Sequence, residues 1–284
     1  RMQSLPRALL AGAVIGITEQ LLLWNYAQAG LVQVALFLII LVALLVQKQR
    51  VGRAEEKGSW AAVQAARPLP QAIRKVWAVR AMAPGIGLVF LTVAVVLPQL
   101  ISNANSVKLT GSFGFVIIGL SVGIITGLGG QLSLGQFALG AVGAFASYEV
   151  SRRTGSFFES FLYAGLAAAA VSVLIGIPAL RIKGLLLTVT TLSFALVIPS
   201  YVLQQDWVLG SGKDPGRPIV FHHALDTGRE YYYVGLATLL VALLIARNVR
   251  SGGLGRRLIA VRDNEDAARA FTVPASTVKL QGFA

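Results

Sequence analysis

Apolar runs of membrane-crossing length, separated by polar or basic connections, set the pattern of this chain. They fall at 8–24, 31–46, 85–101, 113–128, 137–150, 161–180, 185–203 and 231–246. A helix needs about 20 such residues to cross a bilayer, within a range of roughly 17–25. The runs at 31–46 and 137–150 are short, and the latter also reads as a half-helix. Soluble cores do not call for runs this long or this numerous. The pattern predicts an all-α, polytopic integral membrane helical bundle with about eight transmembrane segments.

Between the fourth and fifth runs lies Gly-Leu-Gly-Gly-Gln-Leu-Ser-Leu-Gly-Gln at 127–136. Lipid tolerates polar, non-helical backbone at depth only where protein or a water-filled cavity surrounds it. Gln131, Ser133 and Gln136 bring hydrogen-bonding groups, and Gly127, Gly129, Gly130 and Gly135 permit close backbone approach. Unwound backbone and half-helix ends hold charged ligand groups in transporters without an ionised side chain. This break is therefore the candidate substrate pathway, against the plainer reading that its small residues only let helices pack. Thr188 and Thr190 on the seventh run join the candidates, although such hydroxyls, like those of Thr191 and Ser193, commonly serve neighbouring backbone. Glu19 is the acidic residue within the first run, and an intramembrane carboxylate defaults to a functional hypothesis. It also lies five residues before Trp24, within reach of an interfacial or paired role.

Composition agrees with the pattern: 55% of residues are hydrophobic and 13% charged, where soluble proteins carry about 25% charged. The net charge of +13 does not signal nucleic acid, because the basic residues sit in the connections without an aromatic-studded basic face. Their placement orients the chain. Lys48, Arg50, Arg53, Lys57, Arg67, Arg74, Lys75 and Arg80 face only Glu55 and Glu56, which makes that connection cytoplasmic. Alternation from it puts 25–30, 102–110 and 204–230 outside, and Arg181, Lys183 and the basic tail after Ala246 inside. Only Arg152 and Arg153 dissent. The segment 47–84 has the Ala, Arg and Pro of a linker, and 72–82 has the makings of a basic surface helix. The chain opens on Arg1 and stops at Ala284 in an apolar approach, as a fragment of something longer would. The early run resembles a signal peptide less, since Glu19 interrupts it and a second apolar run follows.

Several motifs fail on inspection. The 210–214 stretch (Gly-Ser-Gly-Lys-Asp) lacks the Ser or Thr that a phosphate loop needs after Lys, and 252–255 lacks the spacing of a dinucleotide fingerprint. His222 and His223 have no Cys or further His to complete a metal site. No cysteine is present, and neither a hydrolase elbow nor a metalloprotease helix appears, so no enzyme, metal or cofactor is expected. The tail reads differently. Arg256, Arg257, Arg262, Asp263, Asn264, Asp266, Ala267 and Ala268 lie in a helix-prone stretch that ends at Phe271, with Asp263 or Asn264 able to cap a short helix. A short amphipathic helix on the cytoplasmic face suits docking onto a partner.

At these residues the chain resembles the permease subunits of the branched-chain amino-acid ABC importers. The resemblance rests on the 127–136 break followed by Gly-Ala-Val-Gly-Ala at 140–144, on 180–194, on 255–257 and on 260–268. These cover 85–284 and are similar to the second permease type of that family, whereas 5–49 is similar to the C-terminal end of the first type. The resemblance implies a fused permease. Residues 1–46 would be the end of a first half with two helices, 47–84 a basic cytoplasmic linker, and 85–284 much of a second half with a coupling region at 247–284. It further implies ABC ATPase subunits docked on the coupling stretch, an extracytoplasmic substrate-binding protein, and a second permease copy as a further partner. Branched-chain or related hydrophobic amino acids would cross the bacterial cytoplasmic (inner) membrane by alternating access. Within the same family, urea, amides, aromatic compounds or sugars stay open as substrates. The alternative of another class is an ion- or proton-coupled secondary transporter, which needs no ATPase.

Overall fold

The computed structural model describes residues 5–26, 29–46, 76–179, 185–210, 212–214, 216–221 and 223–283. Most of the 47–84 linker, Arg181, Lys183, His222 and the start of the 180–194 stretch lie outside these residues. Among the described residues, each of the eight apolar runs lies largely in a helix. These helices are α1 (Leu5–Asn25), α2 (Ala29–Val46), α3 (Trp77–Leu100), α4 (Asn103–Gly129), α5 (Gln136–Thr154), α6 (Phe157–Ala179), α7 (Leu185–Val197) and α8 (Gly228–Ser251). Three short helices follow: α9 (Gly253–Asp263), α10 (Glu265–Ala270) and α11 (Ala275–Phe283). Among the described residues, Asn103–Gly129, Phe157–Gly176 and Gly228–Ser251 are long and apolar enough to cross a membrane. Leu9–Asn25, Gly30–Ala43, Pro84–Leu100 and Leu187–Val202 are shorter apolar helices. The protein is an all-α, multi-pass membrane bundle. The run at 137–150 forms one unbroken helix of 19 residues that begins where the polar break ends. The helical part of the 72–82 stretch, from Trp77 onward, is the opening of α3 and continuous with the third span.

Local sequence sets the helix ends. Ser102 caps α4 by accepting from the Asn105 N–H, and Gly130 ends it in the left-handed conformation (φ 64°). Thr227 and Glu230 form a reciprocal capping box at the start of α8, which satisfies two otherwise unpaired N–H groups. Gly155 (φ 66°) turns the chain between α5 and α6. In the π-helical turn Ile198–Val202 that follows α7, Pro199 removes a backbone donor.

Small residues then bring the helices together. The Gly143 Cα faces the Ala164 carbonyl so closely that an added Cβ would lie 3.3 Å from its oxygen, which seats α5 against its antiparallel neighbour α6. α4 and α8 run parallel: Gly228 abuts Asn103 and, two turns on, Gly235 abuts Thr110, with the Phe113 and Tyr232 rings 5.0 Å apart. α3 leans on α8 through Tyr232 Oη, which donates to the Ala94 carbonyl at 2.8 Å. α2 packs on α7 and on the π-helical turn after it: Gly30 abuts Ser200 of the turn, Ser200 Oγ donates to Gln33 Oε1, and the Phe37 and Phe194 rings approach to 6.3 Å. Apolar side chains remain on the outside: Leu88, Val89 and Phe90 of α3 are 65%, 63% and 72% exposed. Burial is modest because lipid rather than water is the solvent here.

These contacts gather the connections at two ends. One end holds Tyr26, 29–30, 102–103, 155–156 and the described residues of the connection between α7 and α8, including the antiparallel β1 (Ile219–Val220) and β2 (His223–Ala224). Ile219 N–H donates to the Gly155 carbonyl at 2.8 Å, so the α5–α6 turn joins this end. The loops that charge alternation assigns to one side therefore lie together. Arg152 and Arg153, which dissent in the sequence, both face Glu149, at 3.6 and 3.5 Å, so that corner carries less excess charge than its arginines alone suggest. The other end holds the exit of α4 and the α9–α11 unit.

Candidate transport site

The break is built by two ordinary devices placed back to back. At the end of α4, Gly130 N–H donates to the Thr126 carbonyl (3.1 Å) and Gln131 N–H to the Ile125 carbonyl (3.4 Å), a left-handed C-cap that glycine adopts without a Cβ penalty. Residues 131–134 are then non-helical until the turn at Gly135. Two of their backbone groups are held by α7: Thr188 Oγ1 donates to the Leu132 carbonyl at 3.1 Å, and Leu134 N–H donates to Thr191 Oγ1 at 3.1 Å. Thr191 Oγ1 in turn donates within its own helix, to Leu187 or Thr188. Gly135 seats the strand of chain against Thr191 and Phe194.

Ser133 and Gln136 are buried in this seam. The Gln136 amide is 4% exposed, and neither its nitrogen nor its oxygen has a hydrogen-bond partner among the described residues; Thr126 Oγ1 shares that condition. An unpaired buried polar group costs about 1–3 kcal/mol. Gly135 gives α5 no side-chain cap, so the positive end of a 19-residue helix also opens onto the break.

Of the other pathway candidates, Gly129 lies beside Leu258 and Thr190 is buried on α7. Glu19 is not brought to the break. It is exposed on α1, whose packing partner is α2. His223 Nε2 lies 3.4 Å from Glu230 Oε1, a surface pair at the opposite end.

The α9–α11 unit lies against the exit of α4. Leu258, Val261, Ala268, Ala275 and Val278 form its core, with Leu128 packed against them. Asn264 ends α9 and caps α10, accepting from Ala267 N–H at 2.9 Å. Glu265 ties α10 to α11 through Lys279 (2.7 Å) and to its own helix through Arg269 (2.7 Å). Of the docking candidates, Arg256, Arg257, Asp263, Asn264, Asp266 and Ala267 are exposed, and Phe271 stands 81% exposed beyond α10. Ala268, at 5%, belongs to the core rather than to the exposed face. Arg262 is held inward: its Nη1 donates to the Gly127 carbonyl at 2.5 Å, and its Nε and Nη2 lie 2.8 Å from Asp263 Oδ1. Sequence reasoning placed Arg262 only among the docking residues. No local signal marks its contact with a carbonyl 135 positions away.

The family profile described as "Branched-chain amino acid transport system / permease component" matches residues 108–284. The chain is similar to the high-affinity branched-chain amino acid transport system permease protein LivM of Salmonella typhimurium (strain LT2), 26% identical over 223 residues. That alignment covers 69% of this chain and 52% of the relative. LivM of Escherichia coli (strain K12) is 27% identical over 220 residues, covering 68% of this chain and 52% of its own length. The chain thus spans about half the length of the curated relatives it matches. No solved structure matches it.

Proposed function

We propose, from the premise that the chain belongs to the permease-component family of branched-chain amino acid transport systems, that it forms part of the membrane pathway of an ATP-driven importer. The substrates are branched-chain or related hydrophobic amino acids, delivered by an extracytoplasmic binding protein and released into the cytoplasm by alternating access. The observation that carries this reading is the family match over 108–284, because that span contains both the polar break and the α9–α10 projection.

Each part has a role in the proposal. The unpaired Gln136 amide and the open N-terminus of α5 supply hydrogen-bond donors and partial positive charge, which suits a zwitterion's carboxylate in an apolar surrounding. The exposed face of α10, with Asp266, Ala267 and Phe271, offers a small apolar patch ringed by charge for an ATPase subunit. Hydrolysis belongs to those separate subunits, and the permease contributes no reaction of its own.

The test is purification of the full-length parent in gentle detergent, with identification of what co-elutes, alongside uptake assays in vesicles. Two ATPase subunits per transporter, and uptake abolished by ATP depletion, are the expected results. Uptake that survives ATP depletion but collapses with the ion gradient would overturn the reading in favour of a gradient-coupled transporter.

A further inference from the structure

We propose that Arg262 is the positioning residue that transmits movement of the docking helix to the polar break; this rests on the reading of α10 as the ATPase contact. Three observations converge on this side chain. Its guanidinium donates to the Gly127 carbonyl at 2.5 Å, in the last turn of α4. The neighbouring carbonyls of Ile125 and Thr126 are taken by the backbone of Gln131 and Gly130, so Gly127 is capped from another element. Its aliphatic stem lies directly on Gly130: an added Cβ there would overlap the Arg262 Cγ and stand only 3.0 Å from its Cδ. Asp263 Oδ1 lies 2.8 Å from both Nε and Nη2 of Arg262, one residue before Asn264, where α9 stops and α10 starts.

A cation at a helix C-terminus is favoured by the exposed carbonyl dipoles, and the planar guanidinium fork holds two acceptors in fixed relative positions. One side chain thus grips the last turn of α4, the residue where the chain leaves the helix, and the hinge between α9 and α10. On the far side of the break, Leu132 and Leu134 are tied to Thr188 and Thr191 of α7. A displacement of α10 accordingly has a continuous bonded route: Asp263 to Arg262, to Gly127 and Gly130, through 131–134, to α7. Leu258, one turn earlier on α9, is wedged between Gly129 and Gly282 and limits how far the unit can slide without moving α4.

The experiment uses the full-length transporter with its ATPase subunits and binding protein in proteoliposomes, comparing wild type with Arg262→Gln, Arg262→Lys and Asp263→Ala. Three quantities are read: ATPase subunits retained, ATP hydrolysed, and substrate moved per ATP. Arg262→Gln is expected to retain the ATPase and hydrolyse ATP while substrate moved per ATP falls about tenfold, the size of a typical coupling change. Arg262→Lys keeps a cation within reach of the Gly127 carbonyl and should recover part of the ratio, which general loosening of the fold would not predict. An unchanged ratio in Arg262→Gln overturns the proposal, as does loss of transport that merely tracks loss of bound ATPase. If Arg262→Gln does not reach the membrane, Asp263→Ala, which frees the guanidinium from the hinge, must lower the ratio, and a wild-type ratio there overturns it equally. Failure of the underlying reading shows separately, in the wild type, as absence of bound ATPase.

Discussion

Gly130 combines a backbone demand with a steric one. Its φ of 64° is left-handed, and its missing Cβ leaves space that the Arg262 stem fills. A side chain in that conformation costs roughly 1–2 kcal/mol before any clash is counted. Gly130→Ala is therefore expected to lower the detergent-solubilised melting temperature well beyond Gly127→Ala, whose position is open; equal melting of the two variants would contradict the account. Gln136 poses the opposite case, since its amide contributes no hydrogen bond to the described fold. If its role is to meet substrate, Gln136→Met should hold or raise thermal stability, because it removes an unsatisfied group worth about 1–3 kcal/mol, while uptake drops. Uptake at wild-type level in that variant would remove Gln136 from the pathway. The sequence marked both residues by type, a glycine pair and a glutamine between apolar runs. It did not show that one glycine is covered by an arginine, or that the glutamine is left unpaired, because both depend on neighbours distant in the chain.

At the scale of elements, local chemistry and long-range chemistry separate cleanly. The Thr227–Glu230 capping box and the Asn264 cap are written within four residues, and the stretch around Asn264 was readable as a helix start. Asn264→Ala should cost about 1 kcal/mol of cap stability and weaken ATPase retention while the bundle itself stays folded. Co-purification with and without the substitution checks this, and undiminished retention would argue against α10 as the docking element. The stitching of the break to α7 is long-range. Thr191→Val removes the acceptor for the Leu134 N–H and leaves a part-buried donor unpaired, a loss of about 1 kcal/mol, whereas Thr191→Ser keeps the hydroxyl. Melting curves should therefore rank wild type and Ser close together and Val below them. The threonine stripe was visible along the seventh run, and its service to backbone was the plainer expectation. That the backbone belongs to the break, 57 positions away, required the fold.

For the whole molecule, charge placement predicts which connections share a side, and among the described residues the structure gathers those of the outward set at one end. This stretch contains no cysteine, so single cysteines report sidedness without background from it. Trp207→Cys, in the loop that meets the α5–α6 turn, is expected to react with an impermeant maleimide in intact cells. Phe271→Cys, beyond α10, is expected to react only after permeabilisation. The reverse labelling, or labelling of both from one side, would refute the orientation. Membrane insertion, the helical class and the number of apolar runs were determined by sequence alone, because an apolar run of sufficient length has few stable alternatives in lipid. Charge added the alternation for a similarly local reason, since each connection carries its own basic residues. Which helices touch was decided only by tertiary structure. The parallel pairing of α4 with α8, the seating of α2 on α7 and the reach of Arg262 to Gly127 depend on side-chain contours. Lipid-facing and helix-facing residues are equally apolar here, so hydrophobicity, which separates inside from outside in water, leaves the choice of neighbour to small residues and polar contacts at the interface.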